Sequence, residues 1–160
     1  MQKLHFLNSR EKKDLFKQLE EQFACTEALE CIFCENPEGK IFLLSNEYAK
    51  LETQGLRINN RGLYFGKRER EGIRLSLEGA QVIHPKKNIV ELNKHQAQQW
   101  MMGEDIPMEG NLGFVVLKLE KDILGCGMLK NNILRNMVPK ERRLHSITES
   151  DRFSIEEESS

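Results

Sequence analysis

The chain contains no apolar run approaching the ~20 residues needed to cross a bilayer. Its first residues, MQKLHFLNSREKK, offer neither a long apolar stretch nor a small-residue cleavage site. No membrane partner is therefore expected. Four cysteines in 160 residues are too few for a disulfide-built scaffold, so a reduced, cytoplasmic setting is the simplest expectation. Cys31 and Cys34 have the spacing of half a zinc knuckle, but a structural zinc needs four ligands and there is no second such pair. On a strand, positions three apart also point to opposite faces. Buried reduced thiols are the expected state, and no metal.

Catalytic signatures are missing too. Histidines 5, 84, 95 and 145 show no ligand-like spacing. There is no Gly-x4-Gly-Lys-Ser/Thr phosphate loop, and "GCGMLK" lacks the third glycine and the strand–helix–strand context of a dinucleotide site. The adjacent acids Glu104 and Asp105 do not share a geometry that makes one an acid and the other a base; a solvated loop or a cap suits them better. Cys126, between two glycines, has no histidine beside it to activate it. No catalytic residue and no cofactor are expected.

Charge is present but segregated. The total is -1. Residues 57–74 hold six Lys/Arg against two acids, and residues 118–145 hold seven against three, each a net +4. Residues 146–160 carry five acids and one Arg, a net -4. Such separation steers a partner even when the sum is near zero. In the second basic segment the cations stand beside glycine and asparagine rather than alternating with acids. Glycine lets a backbone approach a ligand closely, and asparagine bonds phosphates, sugars and base edges.

The chain reads as two small mixed units. Asn8 caps a helix over Ser9–Phe23, with Glu11 answering the cap and Leu15, Phe16, Leu19 and Phe23 at helical spacing. "CIFCENPEGKIFLLS" reads as a hairpin, "NEYAKLETQ" as a short helix, "GLYFGK" and "GIRLS" as strands, and "SLEGAQVI" as a helix capped by Ser76. The boundary is placed at His84-Pro85-Lys86-Lys87-Asn88, because a helix cannot run through the proline. Beyond it come a strand at "NIVEL", a helix at "KHQAQQWMMG" with Trp100 on its core stripe, an irregular "EDIPMEGN", a strand pair from "GFVVLKLE" and "ILGCGML", and a last short strand near "RRLHSI". Residues from Asp151 on read as a disordered acidic tail. The expected fold class is α+β: an α/β pre-domain over residues 1–83, a small β-barrel over 84–150, and a tail over 151–160.

"HQAQQWMMGEDI" followed by "GFVVLKLEKDILGCGMLKNNILRNMVPKERR" resembles the C-terminal RNA-binding module of Sun-type RNA cytosine-5 methyltransferases, and the same half resembles PUA domains. "LYFGKREREGIRLSLEGAQVI" is similar to the segment before it in those proteins, and the order resembles small ribosome-biogenesis proteins with an α/β pre-domain ahead of a PUA domain. The resemblance covers about residues 62 to 147. It implies a PUA-like pseudobarrel that grips RNA at a glycine-bearing strand edge. By that match the RNA-binding role falls to Gly125, Gly127, Lys130, Asn131, Asn136, Lys140 and Arg143. Arg135 and Arg142 lie in the same basic loop, and Lys67, Arg68 and Arg70 form a second expected surface. The Sun-type catalytic cysteine motifs and cofactor domain have no counterpart here. The function implied is non-catalytic binding of structured RNA (tRNA or rRNA), as an accessory factor in RNA modification, rRNA processing or ribosome biogenesis. A second expectation is a protein-interaction adaptor or a detached RNA-binding subunit serving an RNA cytosine-5 methyltransferase; an RNA-modifying enzyme or a ribosome-assembly factor is the expected protein partner.

Overall fold

In the first unit, local signals set the elements and long-range packing closes them. The computed structural model describes residues 4–26, 29, 31–44 and 62–144. The chain divides between Lys87 and Asn88 into two units. Helix α1 spans Ser9–Phe23 and starts with a full capping box. The Asn8 side chain accepts from the Glu11 N–H at 2.9 Å, and the Glu11 carboxylate accepts from the Asn8 N–H at 3.0 Å. Its apolar stripe of Leu15, Leu19 and Phe23 is wholly buried. The stripe faces a five-stranded antiparallel sheet ordered β1 (His5–Phe6), β2 (Ile32–Glu35), β3 (Lys40–Leu44), β4 (Leu63–Glu69) and β5 (Gly72–Leu75). Phe33 packs edge-on against both Phe16 and Phe65, with centroids 5.5 and 5.8 Å apart, an arrangement that aromatic quadrupoles favour. Gln22 ties the helix to the sheet's last strand by accepting from the Ile73 N–H and donating to the Ile73 carbonyl.

The β2–β3 turn is organised by buried Asn36, whose side chain accepts from the N–H groups of Glu38 and Lys40. Helix α2, Leu77–Ile83, is capped by Ser76. Gly79 brings that helix against the Phe65 carbonyl, which is why glycine stands inside it. The expected helix at "NEYAKLETQ" and the acidic tail lie outside the described residues.

His5 sits 2.8 Å from the Glu11 carboxylate. The Asn8 N–H bond first, and His5 second, hold the Glu11 carboxyl below the usual carboxylate range. A depressed folded pKa gives stability that is complete above the ordinary carboxylate range and is lost as pH falls through the folded value. The first turn of α1 should therefore exchange its amides faster, relative to the rest of the unit, as pH drops from about 6 to about 3. Glu11→Gln should flatten that dependence. Equal pH profiles for the two proteins would refute the assignment.

In the second unit the sheet order is β6 (Ile89–Glu91), β8 (Gly113–Leu119), β9 (Asp122–Lys130), β10 (Ile133–Arg135) and β7 (Ile106–Pro107). The β6–β8 pair is parallel and the rest are antiparallel, and the sheet curls into a half-barrel. Helix α3, Lys94–Met101, is opened by a second capping box between Asn93 and Gln96 and stops at Gly103, where φ is +88°. It inserts Trp100, with no exposed surface, among Leu92, Ile106, Val115, Leu117, Leu129 and Leu134. The α+β class expected from the sequence is the one observed.

Two elements differ from expectation. "EDIPMEGN" is not wholly irregular: Ile106–Pro107 pairs with Ile133 and Leu134. Proline is tolerated there because β7 is an edge strand. Among the described residues the last strand is Ile133–Arg135; Arg142–Leu144 form no strand, and the rest of "RRLHSI" lies outside the described residues. Lys140–Arg142 forms a single 3-10 turn after Pro139, and the Leu144 N–H bonds the Met101 carbonyl instead of a sheet partner.

Candidate nucleic-acid interface

The ladder places the expected RNA-binding residues in different environments. Gly125 and Gly127 lie in β9, where the ladder to β8 includes both and the ladder to β10 takes in only Met128–Lys130, and both are buried. They sit across from Leu117 and Val115 and form a slot for the Trp100 indole. A Cβ at Gly127 would lie 2.6 Å from Trp100 Cη2, and one at Gly125 3.8 Å from Nε1. The ladder skips Leu124, and its carbonyl accepts the indole N–H at 3.3 Å. The signal was the single tryptophan itself: a buried indole needs room that only small residues leave.

Asn136 is also structural. Its side chain donates to the carbonyls of Trp100 (2.8 Å) and Glu104 (3.0 Å) and accepts from the Val138 N–H, while its own N–H bonds Asp105 Oδ1 at 2.8 Å. It clamps the end of α3 to the end of β10, and no polar group of it is left for phosphate. This also assigns the Glu104-Asp105 pair to loop closure. Asn136→Ala is expected to cost about 1–3 kcal/mol, since it strands part-buried partners. The salt dependence of any nucleic-acid binding should stay unchanged. A change in that dependence without a loss of stability would restore a binding role. Arg143 is likewise anchored, its stem across Gly103 and its Nε donating to the Val138 carbonyl at 2.9 Å.

The remaining cations are presented outward. Lys130 and Ile133 are directly paired across a two-residue turn, Asn131-Asn132, with φ of +55° and +62°. Positive φ at both positions is the type I′ geometry that matches strand twist, and asparagine tolerates it. Asn132 is spent on holding this turn: it accepts from the Gly110 N–H at 2.9 Å. Asn131 is exposed and its amide makes no hydrogen bond among the described residues. Leu134 is wholly buried, which turns its neighbours Ile133 and Arg135 outward. Lys130, Ile133 and Arg135 thus share one outer face, with Ile133 42% exposed between the two cations. Lys140 and Arg142 are exposed on the following turn. Lys130, Arg135 and Lys140 form no ion pair among the described residues. Within the apolar "ILR", Ile133 and Arg135 belong to this face and Leu134 belongs to the core.

The second expected surface separates. Arg68 lies on the helix-covered face of the first sheet, ion-paired to Glu35 and 3.3 Å from Gln18. Its neighbour Lys67 faces the other way, and Arg70 is exposed in the Arg70-Glu71 turn. Of the cysteines expected to be buried, Cys25 and Cys34 are, and Cys31 is only half-buried. Among the described residues no group of three His, Cys, Asp or Glu is placed to hold a metal, and no helix is long and apolar enough to cross a membrane.

The second unit is a half-barrel with one capping helix, a buried central tryptophan and a basic hairpin turn, and its likeness to known proteins identifies it as a PUA-like module. Residues 87–144 match the family described as the Methyltransferase RsmF PUA domain. Two curated relatives, the ribosomal RNA small subunit methyltransferases F of two strains of Vibrio cholerae serotype O1, are 37% identical over 54 residues. That match covers 32% of this chain and 11% of each relative, so the chain spans about a tenth of their length. The crystal structure of a PUA domain from Aeropyrum pernix K1, a tartrate complex, superposes with a TM-score of 0.50 at 11% identity, covering 96% of this chain and 91% of that one. It supports the fold.

Proposed function

We propose that this chain binds structured RNA, tRNA or rRNA, through the outer face of the β9–β10 hairpin, without itself catalysing a reaction. In this reading it acts in the cytoplasm as an accessory factor in RNA modification or ribosome biogenesis. The observation that carries the reading is the row Lys130–Ile133–Arg135, held by a rigid type I′ turn and continued by Lys140 and Arg142. Exposed cations on a fixed scaffold position a polyanion through its phosphates. The kinship of residues 87–144 to the PUA module of an rRNA methyltransferase supports RNA as that polyanion and modification as the setting. The test is affinity for unfractionated tRNA and for helical rRNA fragments across a salt series. Four neutralised phosphates give a log–log slope of roughly -3 to -4. A flat salt dependence, or no binding at low salt, overturns the proposal.

A further inference from the structure

The first unit carries two cross-strand rows on the sheet face opposite α1. One row is aromatic. Phe6 pairs with Cys34, Cys34 with Phe42, and Phe42 with Tyr64, so three rings lie along one line across four strands. The Phe42 and Tyr64 rings are 5.6 Å apart and tilted by 45°; both are half-buried, Cys34 within the row is wholly buried, and Phe6 is 45% exposed. The neighbouring row is cationic: Lys40 pairs with Lys67, and Lys67 with Arg74. A bulge aligns the two. Phe65 is skipped in the ladder, which returns Tyr64 to the face of Lys67 although they are three residues apart.

The cationic row is not explained by stability. Like charges directly opposite one another on a sheet are destabilising. The acids nearby are few: Glu38 lies 4.0 Å from Lys40 and Glu69 3.5 Å from Arg74, and Lys67 between them has no ion pair among the described residues. Such surface pairs contribute little and exchange readily for another anion. A line of partly exposed rings beside a line of cations is the pairing that a single-stranded nucleic acid needs, since its free bases stack and its backbone is an anion. A duplex hides the faces of its bases, and a run of Asp and Glu offers charge but no aromatic face to stack on the rings.

We propose that this face of the first sheet is a second site, for single-stranded RNA, with bases stacking on Phe6, Phe42 and Tyr64 and phosphates on Lys40, Lys67 and Arg74. This goes beyond the hairpin reading and stands or falls separately. The full chain is titrated by fluorescence anisotropy with a labelled 12-nucleotide oligouridylate and, in parallel, with a perfectly paired RNA hairpin. The double variant Phe6→Ala/Tyr64→Leu should weaken oligouridylate binding at least about tenfold, as expected for losing stacked bases. Tyr64→Trp should keep or tighten it. Lys67→Glu, a surface change that leaves the core alone, should weaken it and flatten its salt slope by about 0.7 or more. All three should leave hairpin RNA nearly unaffected.

The inference is overturned if oligouridylate does not bind, if its affinity is the same in both weakening variants as in the parent, or if polyglutamate competes as well as unlabelled oligouridylate. In the last case the face suits an acidic protein. Loss of hairpin RNA only in Lys130→Glu/Arg135→Glu, with oligouridylate intact in the sheet variants, sinks this site and keeps the previous proposal. The converse pattern does the reverse.

Discussion

Trp100→Ala is expected to destabilise the second unit by about 3–5 kcal/mol, the range for deleting a large buried aromatic side chain. Trp100 has no exposed surface and sits in a core that runs from Leu92 beside β6 to Leu134 on β10. A small domain holds only about 5–15 kcal/mol in total. Chemical denaturation followed by far-UV circular dichroism should show the unit unfolding at much lower denaturant. A loss under about 1 kcal/mol would mean that the indole does not organise the half-barrel. Gly127→Ala tests the same contact from the other side. Its new methyl would meet Trp100 Cη2 at 2.6 Å and the Arg135 carbonyl at 3.1 Å, both parts of rigid groups. Overpacking of this kind costs about 1–3 kcal/mol. In a Trp100→Phe background the cost of Gly127→Ala should shrink, because the smaller ring vacates part of the slot. A cycle with no coupling would separate glycine from tryptophan.

That contact also explains where sequence reasoning succeeded and where it did not. Features encoded within a few residues were legible: the Asn8–Glu11 capping box, the Ser76 cap, and the strand pair expected around Lys121-Asp122, whose turn is Glu120-Lys121. Features depending on a distant partner were not. "GCG" reads as an opening for a ligand until Trp100, on a helix two strands earlier in the chain, is seen to fill it. Asn136 reads as a phosphate ligand until α3 and the Glu104 loop claim all its bonds. The three-residue β10 and two-residue β7 are too short to show a period, and β7 exists only because β10 pairs with it. Lys67 and Arg68 are neighbours in sequence and opposites in space, which strand alternation alone would have revealed. Lys40 and Arg74 join Lys67 only through the register of three strands.

Neutralising both outward cations of the hairpin, Lys130→Ala/Arg135→Ala, is expected to lower affinity for structured RNA by roughly sixtyfold near 0.1 M salt. On duplex-like RNA each phosphate neutralised contributes about 0.9 to the log–log slope, which near 0.1 M amounts to about eightfold per phosphate. Removing two of these cations should therefore bring a slope near -3.6 to about -1.8. The difference between variant and parent should shrink as salt rises toward about 1 M, because counterion release is the term removed. Stability should be untouched: both side chains are exposed, and neither forms an ion pair among the described residues. Ile133→Ala should behave differently. Truncating an exposed apolar side chain between the cations should weaken binding by a factor that does not change with salt. If the double variant keeps its slope, Lys130 and Arg135 do not meet phosphate, and the hairpin face is not where RNA binds. If the slope falls but the weakening persists at about 1 M salt, the cations act on groups other than phosphate, and base edges or a folded RNA surface become the ligand to map.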